Sequence, residues 1–88
     1  MKGNHTFSMR SVGDVYLLVP LREDTFRGER ILPTNEVGAL LWETLKKDCT
    51  EETLVAAILD QYDIKQDTAL ADIREFLESL DRAGALDR

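Results

Sequence analysis

The sequence has little of what most catalytic, metal-binding or secreted domains need. Its one cysteine, Cys49, cannot form an internal disulfide bond, and its one histidine, His5, cannot build a metal site alone. The glycines never cluster into a phosphate-binding loop. The longest apolar run, residues 15–21, is far too short to span a membrane, and residues 1–5 do not open a secretory signal. We therefore expect no cofactor, no metal, no membrane partner and a cytoplasmic location.

Positive charge is also scarce. Seventeen acids against eleven bases give a net charge of -6, with a pI near 4.6. Residues 35–88 hold thirteen of those acids but only six bases, whereas residues 1–34 hold four acids and five bases. Such a field repels phosphate backbones and anionic lipid headgroups, so nucleic acids and membrane surfaces are poor partners.

The length and composition are those of one small globular domain. The chain has 88 residues, of which 43% are hydrophobic and 32% charged, and chains usually divide into domains only when they are much longer. We predict a single domain over residues 1–88, with residues 1–5 loose.

The first third of the chain has the pattern of β-strands. Phe7 and Met9 alternate with polar residues, and residues 15–20 are rich in β-branched and aromatic side chains. Gly13 and Asp14 between them suit a type II′ turn, which predicts an antiparallel hairpin. An exposed loop over residues 21–28 then leads to a short third strand over residues 30–32. We expect Pro33 to end this strand because proline cannot donate to a ladder.

The remainder predicts three helices. Thr34 or Asn35 can cap the first, Thr50 can cap the second, and the third starts near Asp67. The third helix carries an apolar stripe and ends at Gly84, which suits a left-handed cap. The stripe comprises Leu70, Ile73, Phe76, Leu77 and Leu80. The order β-β-β-α-α-α predicts an α+β fold in which a three-stranded antiparallel sheet is followed by three helices that cover one of its faces.

No residue pattern indicates catalysis. His5 has no partner to orient it, and Cys49 belongs to no nucleophile motif. Carboxylate pairs such as Glu75 with Glu78 have the spacing of a solvated helix face. We predict no catalytic residue.

Two binding functions stay open from the residues alone. A winged-helix regulator of transcription would place the third helix in a DNA groove, but residues 67–82 carry five acids against Arg74 and Arg82. Alternatively, the edge of the third strand and the adjacent helix form a slot for an extended peptide. The same edge could instead pair with a second copy, so the chain is either a monomer or a dimer.

The second half of the sequence resembles a known family. The motifs are Ile-Leu-Pro-Thr-Asn-Glu-Val-Gly-Ala-Leu-Leu-Trp-Glu-Thr-Leu over residues 31–45, residues 50–54 with Tyr62, and residues 72–77 with Leu80 and Gly84. Their order and spacing over residues 6–86 resemble the PqqD-like family, named for the pyrroloquinoline quinone biosynthesis protein D. This family is also called the peptide recognition element of ribosomally made, modified peptides.

The resemblance implies a winged-helix-like fold and a non-catalytic role. Family members bind the leader segment of a precursor peptide and present it to a modifying enzyme, often a radical S-adenosylmethionine enzyme, or in lasso-peptide systems to a protease. The leader joins the sheet as a strand beside the third strand, and its apolar side chains lie against the third helix. A standalone chain implies that the modifying enzyme is a separate polypeptide.

The resemblance also implies which residues form the site. Backbone contacts would fall on Arg30, Ile31 and Leu32. The wall of the groove would come from the exposed members of the third-helix stripe around Ile73, Phe76, Leu77 and Leu80, and spacing alone does not decide which of these four face the groove and which face the core. We further expect Arg30 and Arg74 to pair with acidic side chains of the leader.

The sequence departs from the family at the start of the first helix. Thr34 stands before Asn35 where the family commonly has leucine. Pro33 removes one N–H from the edge of the third strand, which lowers the number of backbone bonds that a leader could make.

Overall fold

The three predicted strands and three predicted helices follow one another in the predicted order, and a short strand is added near each end of the chain. The structure is a computed structural model, and it describes residues 1–21 and 31–88. The helices are α1 (Glu36–Thr44), α2 (Glu51–Gln61) and α3 (Gln66–Ala83). The strands are β1 (Lys2–Gly3), β2 (Phe7–Val12), β3 (Val15–Pro20), β4 (Leu32–Thr34) and β5 (Leu86–Asp87). Strands β2, β3 and β4 form an antiparallel sheet in that order, which confirms the α+β fold.

The hairpin between β2 and β3 has the predicted turn. Val12 pairs with Val15 across the two turn residues. Gly13 has a φ of 61°, and no residue other than glycine has a positive φ in the part of the chain described. A type I′ turn needs positive φ at both central residues, so the turn is of the type II′ class, as predicted.

The third strand of this sheet, β4, differs from the prediction. It runs over Leu32–Thr34 with Pro33 inside it, opposite Leu17, so Pro33 does not end the strand. In an antiparallel ladder only alternate residues bond to the neighbouring strand. Because proline has no N–H, Leu32 and Thr34 must supply the bonds to β3, and Pro33 occupies the alternate position on an edge strand. Arg30, where the strand was predicted to start, lies outside the described residues.

The helix caps explain where the helices begin. Asn35, one of the two predicted caps, accepts a hydrogen bond from the Gly38 backbone N–H at 3.0 Å on its Oδ1 atom. Thr50 caps α2 and exchanges hydrogen bonds with Thr53 in a capping box. Gly84 ends α3 in the left-handed conformation, as predicted.

The two ends of the described chain are paired. Lys2 lies opposite Asp87 and Gly3 opposite Leu86, so β1 and β5 form a second small antiparallel sheet. The Gly3 N–H also donates to the Leu45 carbonyl at 2.8 Å. The expectation that residues 1–5 are loose was therefore wrong, because backbone hydrogen bonds attach this segment to the end of α1 and to β5.

The core lies between the three-stranded sheet and the helices. Leu18 of β3 has no exposed surface, and neither do Ile73 and Leu80 of α3. Buried side chains from α1 and α2, including Leu41, Leu54 and Ile58, complete the same cluster. Among the described helices, none is both long and apolar enough to cross a lipid bilayer.

Candidate functional site

A groove of about 480 Å³ runs between β4 and α3. One side is β4 with the start of α1, and the other is the exposed edge of α3. The residues of the groove are Leu32, Pro33, Thr34, Asn35, Val37, Gly38, Leu41, Asp72, Glu75, Phe76 and Ser79. The groove lies between the two elements for which the sequence predicted a peptide slot.

The outer edge of β4 is open beside the groove. Within the described part of the chain, no strand pairs with β4 on the side away from β3. The backbone N–H and carbonyl groups of successive residues in a strand point alternately to its two sides. Those of Leu32 and Thr34 point toward β3, so the backbone groups of Pro33 and, one step earlier, of Ile31 point outward. The edge therefore offers the N–H and carbonyl of Ile31 and the carbonyl of Pro33.

This register alters the predicted set of backbone contacts. Arg30, Ile31 and Leu32 were expected to pair with a leader. Leu32 bonds to β3 instead and contributes its side chain to the groove. Arg30 lies outside the described residues. Ile31 retains the predicted place at the edge, and Pro33 is added.

Helix α3 presents one predicted side chain to the groove. Phe76 lines the groove and keeps 9% of its surface exposed. Ile73, Leu77 and Leu80, predicted as groove wall, are buried in the core and do not line the groove. The helical rotation explains this division. Each residue of an α-helix is rotated by about 100° from the one before, so residues 73, 77 and 80 share the face that packs in the core. Residues 72, 75, 76 and 79 lie on the adjacent face, toward β4.

Arg74 does not belong to the groove. Its guanidinium Nη2 lies 3.6 Å from the Glu51 Oε1 atom of α2, and its side chain is 64% exposed. The predicted partner Arg30 lies outside the described residues. Arg74 therefore does not face the groove, and the predicted role of Arg30 stays a prediction.

Sequence reasoning missed three polar groove residues of α3: Asp72, Glu75 and Ser79. Asp72 and Glu75 are exposed and have no ion pair within the part of the chain described. The Ser79 hydroxyl donates to the Glu75 carbonyl at 3.1 Å. Their spacing beside the stripe was visible in the sequence, but it is equally typical of a solvated helix face.

Tyr62 and Cys49 have perturbed pKa values but do not line the groove, and the causes of their shifts indicate structure rather than reactivity. Burial raises the pKa of the Tyr62 phenol, and the nearby Glu36 carboxylate raises it further through its charge and a hydrogen bond. Burial also raises the pKa of the Cys49 thiol, which lowers its thiolate fraction. No group of three metal-ligating side chains occurs among the described residues.

The comparisons with known proteins identify the family. The family model described as coenzyme PQQ synthesis protein D (PqqD) matches residues 18–86, so the chain belongs to the PqqD family. No curated protein matches the sequence.

Two solved structures have the same fold. One, described as TbiB1 in complex with the TbiA(beta) leader peptide, has a TM-score of 0.74 and 25% identity over 99% of this chain and 95% of its own. The other, described as lasso peptide synthetase B1 complexed with the leader peptide, has a TM-score of 0.69 and 17% identity over 96% and 93%.

The alternative of a DNA-binding regulator is not supported. The matching family and both similar structures bear descriptions unrelated to DNA. The candidate recognition helix α3 carries five acids and two arginines, and two of those acids line the groove. A helix with this balance does not neutralise phosphates.

Proposed function

We propose that this protein is a non-catalytic adaptor that binds the leader of a ribosomally made precursor peptide and presents it to a modifying enzyme. The observation that carries the proposal is the edge of β4 beside the groove, with which no described strand pairs. A leader in extended conformation would add a strand to the sheet at Ile31 and Pro33. Membership of the PqqD family and likeness to two proteins described in complex with leader peptides support the proposal.

The two sides of the groove have different tasks in this proposal. Main-chain bonds to β4 supply affinity for any extended segment, whereas side-chain pockets supply specificity. In a strand, alternate side chains face the same way, so every second leader residue would face α3. Apolar leader side chains at those positions would pack against Phe76 and the half-buried Leu32.

The modifying enzyme is proposed to act in the cytoplasm, where ribosomes make the precursor. A radical S-adenosylmethionine enzyme is the type that the family resemblance implies. The polar groups of the groove are carboxylates, hydroxyls and an amide, with no histidine or cysteine among the lining residues. Such a set suits binding better than acid–base or nucleophilic chemistry.

The edge-strand proposal predicts a specific effect of proline at position 31. Ile31→Pro removes the outward N–H and leaves the bonds between β4 and β3 in place. Ile31→Ala removes the same side chain beyond Cβ but keeps the N–H. We expect the proline variant to bind the leader of the precursor encoded beside the gene about tenfold more weakly than the alanine variant, because a leader carbonyl loses its donor. Isothermal titration calorimetry measures both affinities.

Equal affinity of these two variants would contradict strand addition at this edge. Circular dichroism and thermal unfolding of both variants serve as the control for folding. Size-exclusion chromatography of the wild-type protein tests the remaining alternative, a dimer that pairs its β4 edges. A dimer that stays intact when the leader is in excess would also contradict the proposal.

Replacement of Pro33 by alanine is expected to strengthen leader binding. The alanine supplies an N–H on the outer edge of β4, where proline has none. One additional backbone hydrogen bond contributes about 0.5–1.5 kcal/mol, which corresponds to a gain of about two- to tenfold in affinity. Calorimetry with the same leader measures the gain. A weaker or unchanged affinity, with an unchanged circular dichroism spectrum, would show that position 33 does not face the bound peptide.

A further inference from the structure

We infer that the groove selects a leader with a lysine or arginine among its α3-facing residues, next to an apolar anchor that packs on Phe76. The inference rests on the proposed function, and it names the chemistry of the peptide. It reverses the sign of the expectation from the sequence, which paired Arg30 and Arg74 with an acidic leader.

Two acids of α3 outside the groove have ion pairs in the described structure, and the two acids that line the groove have none there. Outside the groove, Glu78 pairs with Arg82 at 2.9 Å and Asp81 pairs with Arg88 at 2.6 Å. Asp72 and Glu75, which line the groove, have no ion pair within residues 1–21 and 31–88. Two carboxylates without an ion pair among the described residues thus face a slot whose described lining contains no lysine, arginine or histidine.

The spacing along α3 matches the spacing of a bound strand. Residues 72 and 76 are one turn apart, about 6 Å along the helix axis at 1.5 Å per residue. Side chains on the same face of a strand are about 6.6 Å apart. In a leader strand that runs along α3, a side chain that packs on Phe76 therefore places its neighbour two residues away close to Asp72, and Glu75 lies between the two positions along the helix axis.

An acidic leader residue at this position would meet two like charges. A bound leader would partly cover these exposed carboxylates beside the apolar Phe76 and Leu41, which reduces screening by water and increases both the attraction of a cation and the repulsion of an anion. The net charge of -6 adds a long-range attraction for basic peptides. Both effects favour lysine or arginine.

The test uses a randomised library of twelve-residue peptides displayed on phage, selected against three proteins. These are the wild type, the groove variant Asp72→Asn/Glu75→Gln, and the control variant Asp60→Asn/Asp63→Asn. The control makes the same change in net charge at exposed aspartates at the end of α2 and just after it, away from the groove. Selected peptides are then synthesised, and their affinities are measured at low and high salt.

We expect wild type and control to select peptides with a lysine or arginine two positions from an apolar residue. The groove variant should lose this preference and bind those peptides about three- to tenfold more weakly, with less dependence on salt. Glu75→Lys should in turn prefer the same peptide with its lysine changed to glutamate.

Two further outcomes separate this inference from the proposed function. Peptides that shift the amide resonances of Ile31 and Thr34 but show no basic preference, or keep it in the groove variant, would overturn the inference alone. If no selected peptide shifts those resonances, and the leader encoded beside the gene does not either, the strand-addition function fails and the inference fails with it.

Discussion

Replacement of Leu80 by alanine is expected to lower the free energy of unfolding by about 2–5 kcal/mol without changing affinity for the leader. Leu80 has no exposed surface and packs in the core between α3 and the sheet. The substitution removes buried methyl groups and leaves a cavity that its neighbours fill only in part. For a domain of this size each kcal/mol corresponds to about 4–8 °C in melting temperature, so the transition should fall by at least about 8 °C.

Leu59→Ala is the matched control for this experiment. Leu59 is also on a helix, but it is 37% exposed, so its truncation should cost less than that of Leu80. Urea denaturation measures both changes, and calorimetry at a temperature where both variants are folded measures leader affinity. A loss of affinity in folded Leu80→Ala, larger than twofold, would mean that Leu80 contributes to the groove, as the sequence first suggested.

The distinction between Leu80 and Phe76 shows what the sequence could predict. Period and caps predicted all three helices, and the apolar stripe correctly identified the face of α3 that is buried. The sequence pattern could not show which residues lie at the centre of the stripe and which at its margin. Phe76 and Leu80 both fit the helical period, and both are strongly hydrophobic. Which side of the stripe borders the groove depends on where β4 packs in the tertiary structure, and helical periodicity contains no information about that packing.

Strand β4 shows a second reason for a wrong prediction. The rule that proline ends a strand assumes that its N–H is needed by a neighbour. At Pro33 the register turns that position toward the open edge, so the strand continues to Thr34. Register is set by pairing with β3 and not by the local sequence, and it determines which backbone groups a peptide can reach.

The small sheet of β1 and β5 could not be predicted at all. Its strands have two residues each, Lys2–Gly3 and Leu86–Asp87, which is too short for any alternation of hydrophobicity. They meet because the hairpin and the end of α3 bring the two ends of the chain together. The expectation of a loose segment over residues 1–5 followed from composition, and a contact at long sequence separation overruled it.

Gly38→Ala is expected to lower the free energy of unfolding by about 2 kcal/mol, although replacing glycine by alanine inside an ordinary helix raises that free energy. Alanine is favoured over glycine inside a helix by about 1 kcal/mol. Here a Cβ atom would overlap the Thr34 Oγ1 and lie 2.9 Å from its Cβ and 3.0 Å from its Cγ2. Rotation of the Thr34 side chain moves the hydroxyl but not the Cβ, so α1 and β4 must separate, at a cost of about 3 kcal/mol.

The sign of this effect depends on Thr34, and a double-mutant cycle tests that dependence. In a Thr34→Gly background the Cβ at position 38 meets no Thr34 side chain, so Gly38→Ala should stabilise by about 1 kcal/mol. Urea denaturation of the four proteins gives the coupling. A destabilisation of the same size in both backgrounds would show that another contact opposes the methyl group.

Because Thr34 and Gly38 both line the groove, separation of α1 from β4 should also weaken leader binding in the single variant. The groove therefore keeps its shape only while α1 and β4 stay in close contact at Gly38.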